Sequence, residues 1–191
     1  MKLIYKGTYT SEADLPVREH PAGSVAFREL DDMKKLALAL NLASIPLLVL
    51  SVLGLFVHGM PYIRGNGMQL ALGAMLPMLC LFPHELLHAI CFRGEVELWT
   101  NFKMGMLFVV GTEDMSKARF VCLSLLPNLV FGVIPYVLFW LNPQWLLLGV
   151  LGAISLPMGI GDYYNVYNCL TQVPKGGLVY LSGMRSYWYL P

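Results

Sequence analysis

Two histidines and a glutamate occur at a spacing that suits hydrolytic metal chemistry, in the segment His84-Glu85-Leu86-Leu87-His88. On an α-helix, residues four apart lie on one face, so His84 and His88 can direct imidazole nitrogens to one metal ion. Glu85 is turned by about 100° from His84 and can reach a water molecule on that metal. The segment therefore predicts Zn²⁺ held by His84 and His88, with Glu85 as the catalytic base.

The composition around this segment is typical of an integral membrane protein. Of the 191 residues, 57% are hydrophobic and 13% are charged, and the mean hydropathy is +0.59. The net charge of +1 provides no basic field for a nucleic-acid partner. The four cysteines show no CxxC spacing, so we interpret them as small buried hydrophobic residues. They are Cys80, Cys91, Cys122 and Cys169.

Four segments are long and apolar enough to cross the hydrocarbon core of a membrane, which takes about 20 residues. They are residues 36–57, 70–92, 118–141 and 145–164. Each contains proline, which transmembrane helices tolerate and which marks a kink. Pro83, directly before His84, predicts a bend or a new helical start at the histidine pair. We therefore predict an all-α integral membrane protein with about four transmembrane helices.

The distribution of lysine and arginine predicts the orientation of these spans. Six basic residues precede the first span and four lie around the loop between the second and third, whereas the first loop has only Arg64. This alternation predicts a multi-pass protein of the cell membrane with both termini in the cytoplasm. Residues 1–35 would be a cytoplasmic segment, residues 36–170 the transmembrane core, and residues 171–191 a cytoplasmic tail.

The loop between the second and third spans has the pattern of a β-hairpin. Apolar side chains occupy mainly even positions from Val96 to Val110, which is the period of a strand, and Gly105 near the middle indicates a turn. We predict a membrane-associated hairpin over residues 95–111. It either links two helices only or offers a sheet edge to an extended peptide. Residues 2–10 and 178–190, rich in aromatic side chains, are either short strands or segments anchored at the membrane interface.

The predicted zinc site needs a further ligand, because catalytic zinc usually has three protein ligands and a water. After Asp114 the chain has one acidic residue, Asp162, in the fourth span. The second span begins outside near Leu70, which puts His84 about 21 Å along it; the fourth begins near Trp145, which puts Asp162 about 26 Å along. Both positions are near the cytoplasmic leaflet on parallel helices. Asp162 is therefore the predicted third ligand.

Other polar residues are open alternatives. Asp162 could instead be a structural carboxylate near the interface that pairs with a neighbouring tyrosine or a basic loop residue. Glu113 and Asp114 compete as ligands, although a loop or a helix cap explains them as well. Asn128 and Asn165 are candidates either for contacts with substrate or ligands or for helix packing.

The two remaining histidines fit the site poorly. His58 lies at the outer end of the first span, on the opposite side of the membrane from the predicted site. His20 lies in the polar N-terminal segment, where solvation explains it.

Together, His84-Glu85-xx-His88 on one transmembrane helix, a strand-like loop and an aspartate after a proline on a later helix resemble the membrane-embedded zinc metalloproteases of the site-2 protease type. The four-span layout and Gly161-Asp162 are similar to a bacterial family of membrane proteins called putative zincin peptidases. The resemblance covers about residues 30–180. Site-2 proteases typically have an Asn-Pro-rich stretch that ends in Asp-Gly, whereas here Tyr163 follows Asp162.

This resemblance implies zinc ligation by His84, His88 and Asp162, with Glu85 as the base and a hairpin that positions an unwound substrate. The expected function is hydrolysis of a peptide bond near the cytoplasmic face, with the lipid bilayer and a peptide or membrane-protein substrate as partners. One alternative is a non-catalytic zinc-binding membrane protein that regulates a partner, although structural zinc has no use for Glu85. Another is an ion or small-molecule carrier in which the motif is a coincidence.

Overall fold

The structure is a computed structural model, and it describes residues 1–30 and 32–191. It is 57% helix and 18% strand, with the strands in two sheets. The predicted all-α class is therefore wrong. A hairpin was predicted, but not the sheets it belongs to, because these are completed by pairing between segments far apart in sequence, as Lys2 with Glu95 and Met115 with Val179.

Seven α-helices form most of the structure. They are α1 (Met33–Ile63), α2 (Gly67–Leu79), α3 (Leu81–Ala89), α4 (Lys117–Asn128), α5 (Ile134–Leu141), α6 (Leu146–Met158) and α7 (Ile160–Gln172). Between α4 and α5 the helix widens into a π-helical turn over Leu129–Val133. Such turns inside α-helices are often found at functional sites.

Seven strands form the two sheets. They are β1 (Lys2–Thr8), β2 (Val25–Ala26), β3 (Glu95–Asn101), β4 (Met106–Val110), β5 (Met115–Ser116), β6 (Leu178–Ser182) and β7 (Arg185–Tyr189). One sheet has the order β1-β3-β4 and the other β2-β7-β6-β5. The antiparallel hairpin predicted over residues 95–111 is present as β3 and β4. The terminal segments are strands, one of the two alternatives predicted for them.

The chain divides into two compact units. The sheet unit comprises Met1–Glu29, Glu85–Ser124 and Tyr164–Pro191, and the helix unit comprises Leu30–His84 and Leu125–Tyr163. The division falls within α3, between His84 and Glu85, and within α4. These units therefore differ from the predicted cytoplasmic segment, transmembrane core and tail. That division by membrane crossing stays a prediction.

In the helix unit, α6 is the central helix and packs against α1, α2 and α5. Its core contains Leu55, Phe139 and Val150. Gly152 allows the close approach of α5, because a Cβ at this position would lie 2.7 Å from the backbone nitrogen of Tyr136. Small residues at such crossings are typical of helix packing in membranes.

The sheet unit has a core of its own, in which residues from all three of its chain segments meet. Phe27, Phe120 and Val179 lie within one buried cluster. Tyr9 and Trp99 belong to a second cluster. The hydrophobic contacts of these clusters hold the three separate segments together.

Among the residues that the structure describes, two helical stretches, Lys34–Ile63 and Lys117–Leu141, are long and apolar enough to cross a membrane. The number rises to four if each of two bent pairs counts as one span. The pairs are α2 with α3, bent by 45°, and α6 with α7, bent by 50°. Only 6% of the most apolar window of the first stretch is buried, so its apolar side chains face outward. These features are compatible with association with a membrane.

Candidate metal centre

Helix α3 begins at a bend and presents the histidine pair on its first turns. The break between α2 and α3 falls at Cys80, and Pro83 lacks the N–H that would bond to the carbonyl of Leu79. A bend or new helical start at this proline was predicted from the sequence. Along α3, His84, Glu85 and His88 each bring one ligand atom within 4.8 Å of the others. The helix therefore gathers the three side chains as their spacing predicted.

In the helix unit, Asp162 lies beside His84. Helix α7 starts after the break at Gly159 and carries Asp162 in its first turn. Asp162 Oδ2 is 3.4 Å from His84 Nε2. Two atoms that bind one tetrahedral zinc ion at 2.0–2.2 Å are about 3.3–3.5 Å apart. The separation therefore fits two ligands of a shared metal.

Asn128 holds the same carboxylate. Its Nδ2 donates a hydrogen bond of 2.7 Å to Asp162 Oδ2, and its side chain is only 3% exposed. A carboxylate oxygen has two lone pairs, so accepting this bond is compatible with binding a metal. A Cβ on Gly159 would lie 1.6 Å from Asn128 Oδ1, so glycine is required there to make room for the amide.

In the sheet unit, His88 is buried and bonded to the main chain. Its Nδ1 lies 2.9 Å from the carbonyl oxygen of Leu123. A carbonyl can only accept, so Nδ1 donates, and the neutral ring keeps its lone pair on Nε2. Histidine ligands of metals usually have such a partner on the second nitrogen. His88 is thus prepared to bind a metal through Nε2.

Glu85 is held at the hairpin. The backbone N–H of Val109 donates to Glu85 Oε2 over 3.1 Å. β4 is an outer strand of its sheet, and this N–H points away from β3, the strand that pairs with β4. One carboxylate oxygen of Glu85 is therefore anchored to the strand edge. The anchor is suited to a base, whose position relative to the reacting water must be defined.

A groove of about 380 Å³ borders β4. It is lined by residues 105–110 of the hairpin and by Leu181, Gly183 and Met184 near the turn between β6 and β7. The residues that line the groove are mainly apolar, and the groove lies within the sheet unit. It gives an extended apolar segment room beside the strand that anchors Glu85.

The competing acidic residues are engaged elsewhere in the sheet unit. Glu113 accepts hydrogen bonds from the backbone N–H groups of Arg93 and Gly94 and pairs with Arg119. Burial alone would raise the pKa of Glu113, but these donors lower it below its usual value. Asp114 accepts from Arg18 Nη1 over 3.0 Å. Both carboxylates stabilise loops.

The other histidines also have structural contacts. His58 stacks on Trp140, with ring centroids 4.4 Å apart. His20, expected to be solvated, is exposed, and it also places Nδ1 2.9 Å from the hydroxyl of Tyr180 and lies against the ring of Tyr187. Asn165 lies on α7 close to one turn after Asp162 and is partly buried.

Sequence analysis missed the two main-chain partners of the site, the carbonyl of Leu123 and the N–H of Val109. Main-chain groups are present at every residue, so the type of residue that carries them gives little signal. The strand period of the hairpin indicated an edge, but not which N–H would face Glu85. For Leu123 the sequence does hold a signal. Pro127 lies four residues later and lacks the N–H that would bond to the Leu123 carbonyl within a helix.

The donor set fits zinc. Two imidazoles and one carboxylate are the ligands of a common class of catalytic zinc site. The 3.4 Å separation between His84 and Asp162 and the donated bond from His88 Nδ1 are the two features of the structure that support this fit.

Comparison with known families matches residues 77–178 to the family described as "Putative zincin peptidase". The match covers more than half of the chain and includes α3, the hairpin, α4 and α7. The chain belongs to this family, whose name implies a zinc-dependent peptidase. No curated protein and no solved structure matches the chain.

Proposed function

From its place among the zincin peptidases, we propose that this protein is a membrane-embedded zinc peptidase of the site-2 protease type. His84, His88 and Asp162 are the zinc ligands, and Glu85 is the catalytic base. The observation that carries this proposal is the 3.4 Å separation between His84 Nε2 and Asp162 Oδ2. It joins a residue of the HExxH motif to the one acidic side chain of α7, 78 positions later.

The catalytic steps follow from the contacts of Glu85. Zinc, when bound, acts as a Lewis acid and lowers the pKa of its water to about 7. Glu85, whose Oε2 is held by the N–H of Val109, accepts the proton of the attacking water. The same carboxyl group then delivers this proton to the leaving amine, so the carboxylate is regenerated in each cycle.

The substrate is an extended peptide segment rather than a helix. Apart from the N–H of Val109, which Glu85 occupies, the outer edge of β4 offers main-chain groups to an extended segment, and a strand added there would lie beside Glu85. The neighbouring apolar groove, which includes Met106, Leu181 and Met184, favours apolar side chains at alternate positions of that strand. A helical segment would have to unwind first, because its carbonyls are hydrogen-bonded within the helix.

The reaction takes place near the cytoplasmic face of the cell membrane, with both termini in the cytoplasm. The apolar helices support the membrane location, and the distribution of lysine and arginine supports the orientation. A membrane protein or membrane-bound peptide is then the natural substrate.

The substitution Glu85→Gln tests the proposal. The amide keeps the size of the side chain but cannot take up a proton, so zinc content should stay the same while the rate of cleavage falls by about 100-fold or more. Zinc is measured by mass spectrometry of the purified protein. Cleavage is measured on a peptide library made from a digested bacterial proteome, which also reports the residues preferred around the cut.

The matched control is Glu19→Gln, which makes the same change on an exposed side chain and should alter neither quantity. If the wild type holds zinc but cuts no more library peptides than the Glu85→Gln variant, the protein is a zinc-binding regulator rather than a peptidase. If it holds no zinc, the ligand assignment is wrong as well.

A further inference from the structure

The carbonyl of Leu123 has lost its usual partner within helix α4. In an α-helix, the carbonyl of residue i accepts from the N–H of residue i+4. For Leu123 that residue is Pro127, which has no N–H. The carbonyl is buried with the helix around it, and a buried carbonyl without a donor is costly. Pro127 therefore makes one acceptor of α4 available to a side chain.

His88 is the side chain that uses it. Its Nδ1 lies 2.9 Å from the Leu123 oxygen, and the side chain is 8% exposed, so bulk water offers little competition. Because the acceptor is a carbonyl, the bond fixes one of the two neutral forms of the ring, the one with hydrogen on Nδ1 and the lone pair on Nε2.

We propose that Pro127 is a positioning residue for the metal centre. By removing a single N–H from α4, it directs the Leu123 carbonyl to His88 and fixes the ring so that Nε2 is the metal-binding atom. This inference rests on the proposed function for the role of His88 as a ligand. The state of the ring itself is a property of the chain and does not require a metal.

Two further features of the site follow directly after this proline in the chain. Asn128 follows directly and donates to Asp162, and the π-helical turn begins one residue later. Pro127 is itself among the fully buried residues. A kink in the helix would by itself explain a buried proline. It would not explain why a histidine donates a hydrogen bond to the carbonyl that the proline leaves without an N–H partner.

The first test is the ring of His88 in the metal-free wild type. Long-range ¹H–¹⁵N NMR spectra of histidine-labelled protein in detergent, at about pH 8.5 where imidazole is neutral, distinguish the two neutral forms. His88 should be the Nδ1–H form. An Nε2–H ring overturns the proposal, whether or not the protein binds zinc or cleaves peptides.

The second test is Pro127→Ala, which supplies the missing N–H to the Leu123 carbonyl. The expected results are a mixture of ring forms for His88 and a dissociation constant for zinc that is about 10–100-fold higher, as for other partners of ligand histidines. Pro46→Ala is the matched control, since Pro46 also lies inside a helix but is exposed; it should change neither result.

The outcomes separate this inference from the proposed function. A Pro127→Ala protein that folds and keeps both the Nδ1–H ring and the wild-type zinc affinity contradicts the positioning role alone. A variant that does not fold leaves the wild-type spectrum as the deciding measurement. A wild type with the expected ring form but no zinc affinity contradicts the proposed function and leaves the hydrogen bond intact.

Discussion

One oxygen of Asp162 lies beside both His84 and Asn128, and this arrangement determines how removal of the side chain should act. Oδ2 faces His84 Nε2 at 3.4 Å and accepts from Asn128 Nδ2 at 2.7 Å. A hydrogen bond from an amide to a carboxylate ligand fixes the orientation of the carboxylate in the metal-free protein. In the proposed site, the amide of Asn128 therefore positions a ligand even though it carries no charge.

Removing Asp162 and removing Asn128 should weaken zinc binding to different extents. Asp162→Ala deletes a charged ligand, and we expect the dissociation constant for zinc to rise by more than about 100-fold. Asn128→Ala leaves the ligand but frees its orientation, and a rise of about 10–100-fold is expected. Competition with a chelating dye measures both values.

The informative result is which of the two substitutions raises the zinc dissociation constant more. If the Asp162→Ala protein keeps the wild-type affinity, Asp162 is not a ligand, and its contact with His84 is an ordinary pair of polar groups. If Asn128→Ala has the larger effect, the amide rather than the carboxylate contributes directly to the site.

At the residue scale, much of the candidate site could be predicted because it depends on spacing. The four-residue interval places His84 and His88 on one face of a helix whatever surrounds them. Asp162 could be found by equal depth along parallel spans, and the structure does bring it to His84. The contact from Asn128 was one of two alternatives, because an amide gives no sign in sequence of which polar group it faces.

At the element scale, the break between α6 and α7 orients Asp162. The two helices meet at 50°, and Gly159 is the residue between them. Pro157 weakens the last turn of α6, since it lacks an N–H. The side chain of Asn128 fills the space that any larger residue at position 159 would need.

Gly159→Ala should therefore disturb the site from a distance. The new Cβ would overlap Asn128 Oδ1, so the amide must move, at a cost of about 1–3 kcal/mol in stability. The zinc dissociation constant should rise as it does for Asn128→Ala. Thermal unfolding in detergent and the chelator competition measure the two effects.

Gly161→Ala is the control for this substitution. It lies two residues further on, and a Cβ there meets nothing within 4 Å. It should leave zinc affinity unchanged and cause no loss of stability, because alanine is the better helix former. Equal behaviour of the two variants would mean that the space beside Asn128 is not what requires glycine at position 159.

The elements themselves were predictable where their pattern is local. The even-numbered apolar positions of residues 96–110 predicted the hairpin, and Pro83 predicted the bend before α3. The parallel pairing of β1 with β3 was not predictable in this way, because Lys2 and Glu95 are 93 positions apart and their pairing leaves no local pattern. The sheet formed by β2, β7, β6 and β5 also draws on distant segments, and this is why the fold class was wrong.

At the scale of the whole molecule, the sheet unit depends on contacts between segments far apart in sequence. Glu29, at the end of its first segment, accepts a hydrogen bond of 3.2 Å from Nδ2 of Asn168 in its last. Arg28 N–H donates to Gln172 Oε1 over 2.7 Å at the same junction. Burial raises the pKa of Glu29, although the bond from Asn168 and the charge of Arg185 oppose the shift.

The raised pKa of Glu29 predicts how this junction responds to pH. The folded chain holds the proton more tightly than the unfolded chain does. The contribution of Glu29 to stability is therefore present below the unfolded pKa of about 4.3 and is lost as the pH rises through the higher folded pKa. At neutral pH the buried carboxylate opposes folding, and an uncharged residue of the same shape should stabilise the protein.

Glu29→Gln should therefore raise the melting temperature at pH 7, because the amide removes the cost of burying a charge. The amide oxygen still accepts from Asn168, so the junction keeps its hydrogen bond. The difference from wild type should shrink as the pH falls, and it should level off below the unfolded pKa of about 4.3, where Glu29 becomes protonated in both states. A melting temperature that falls at pH 7, or a difference independent of pH, would mean that the charge of Glu29 holds the segments together, through Arg185, rather than weakening their contact.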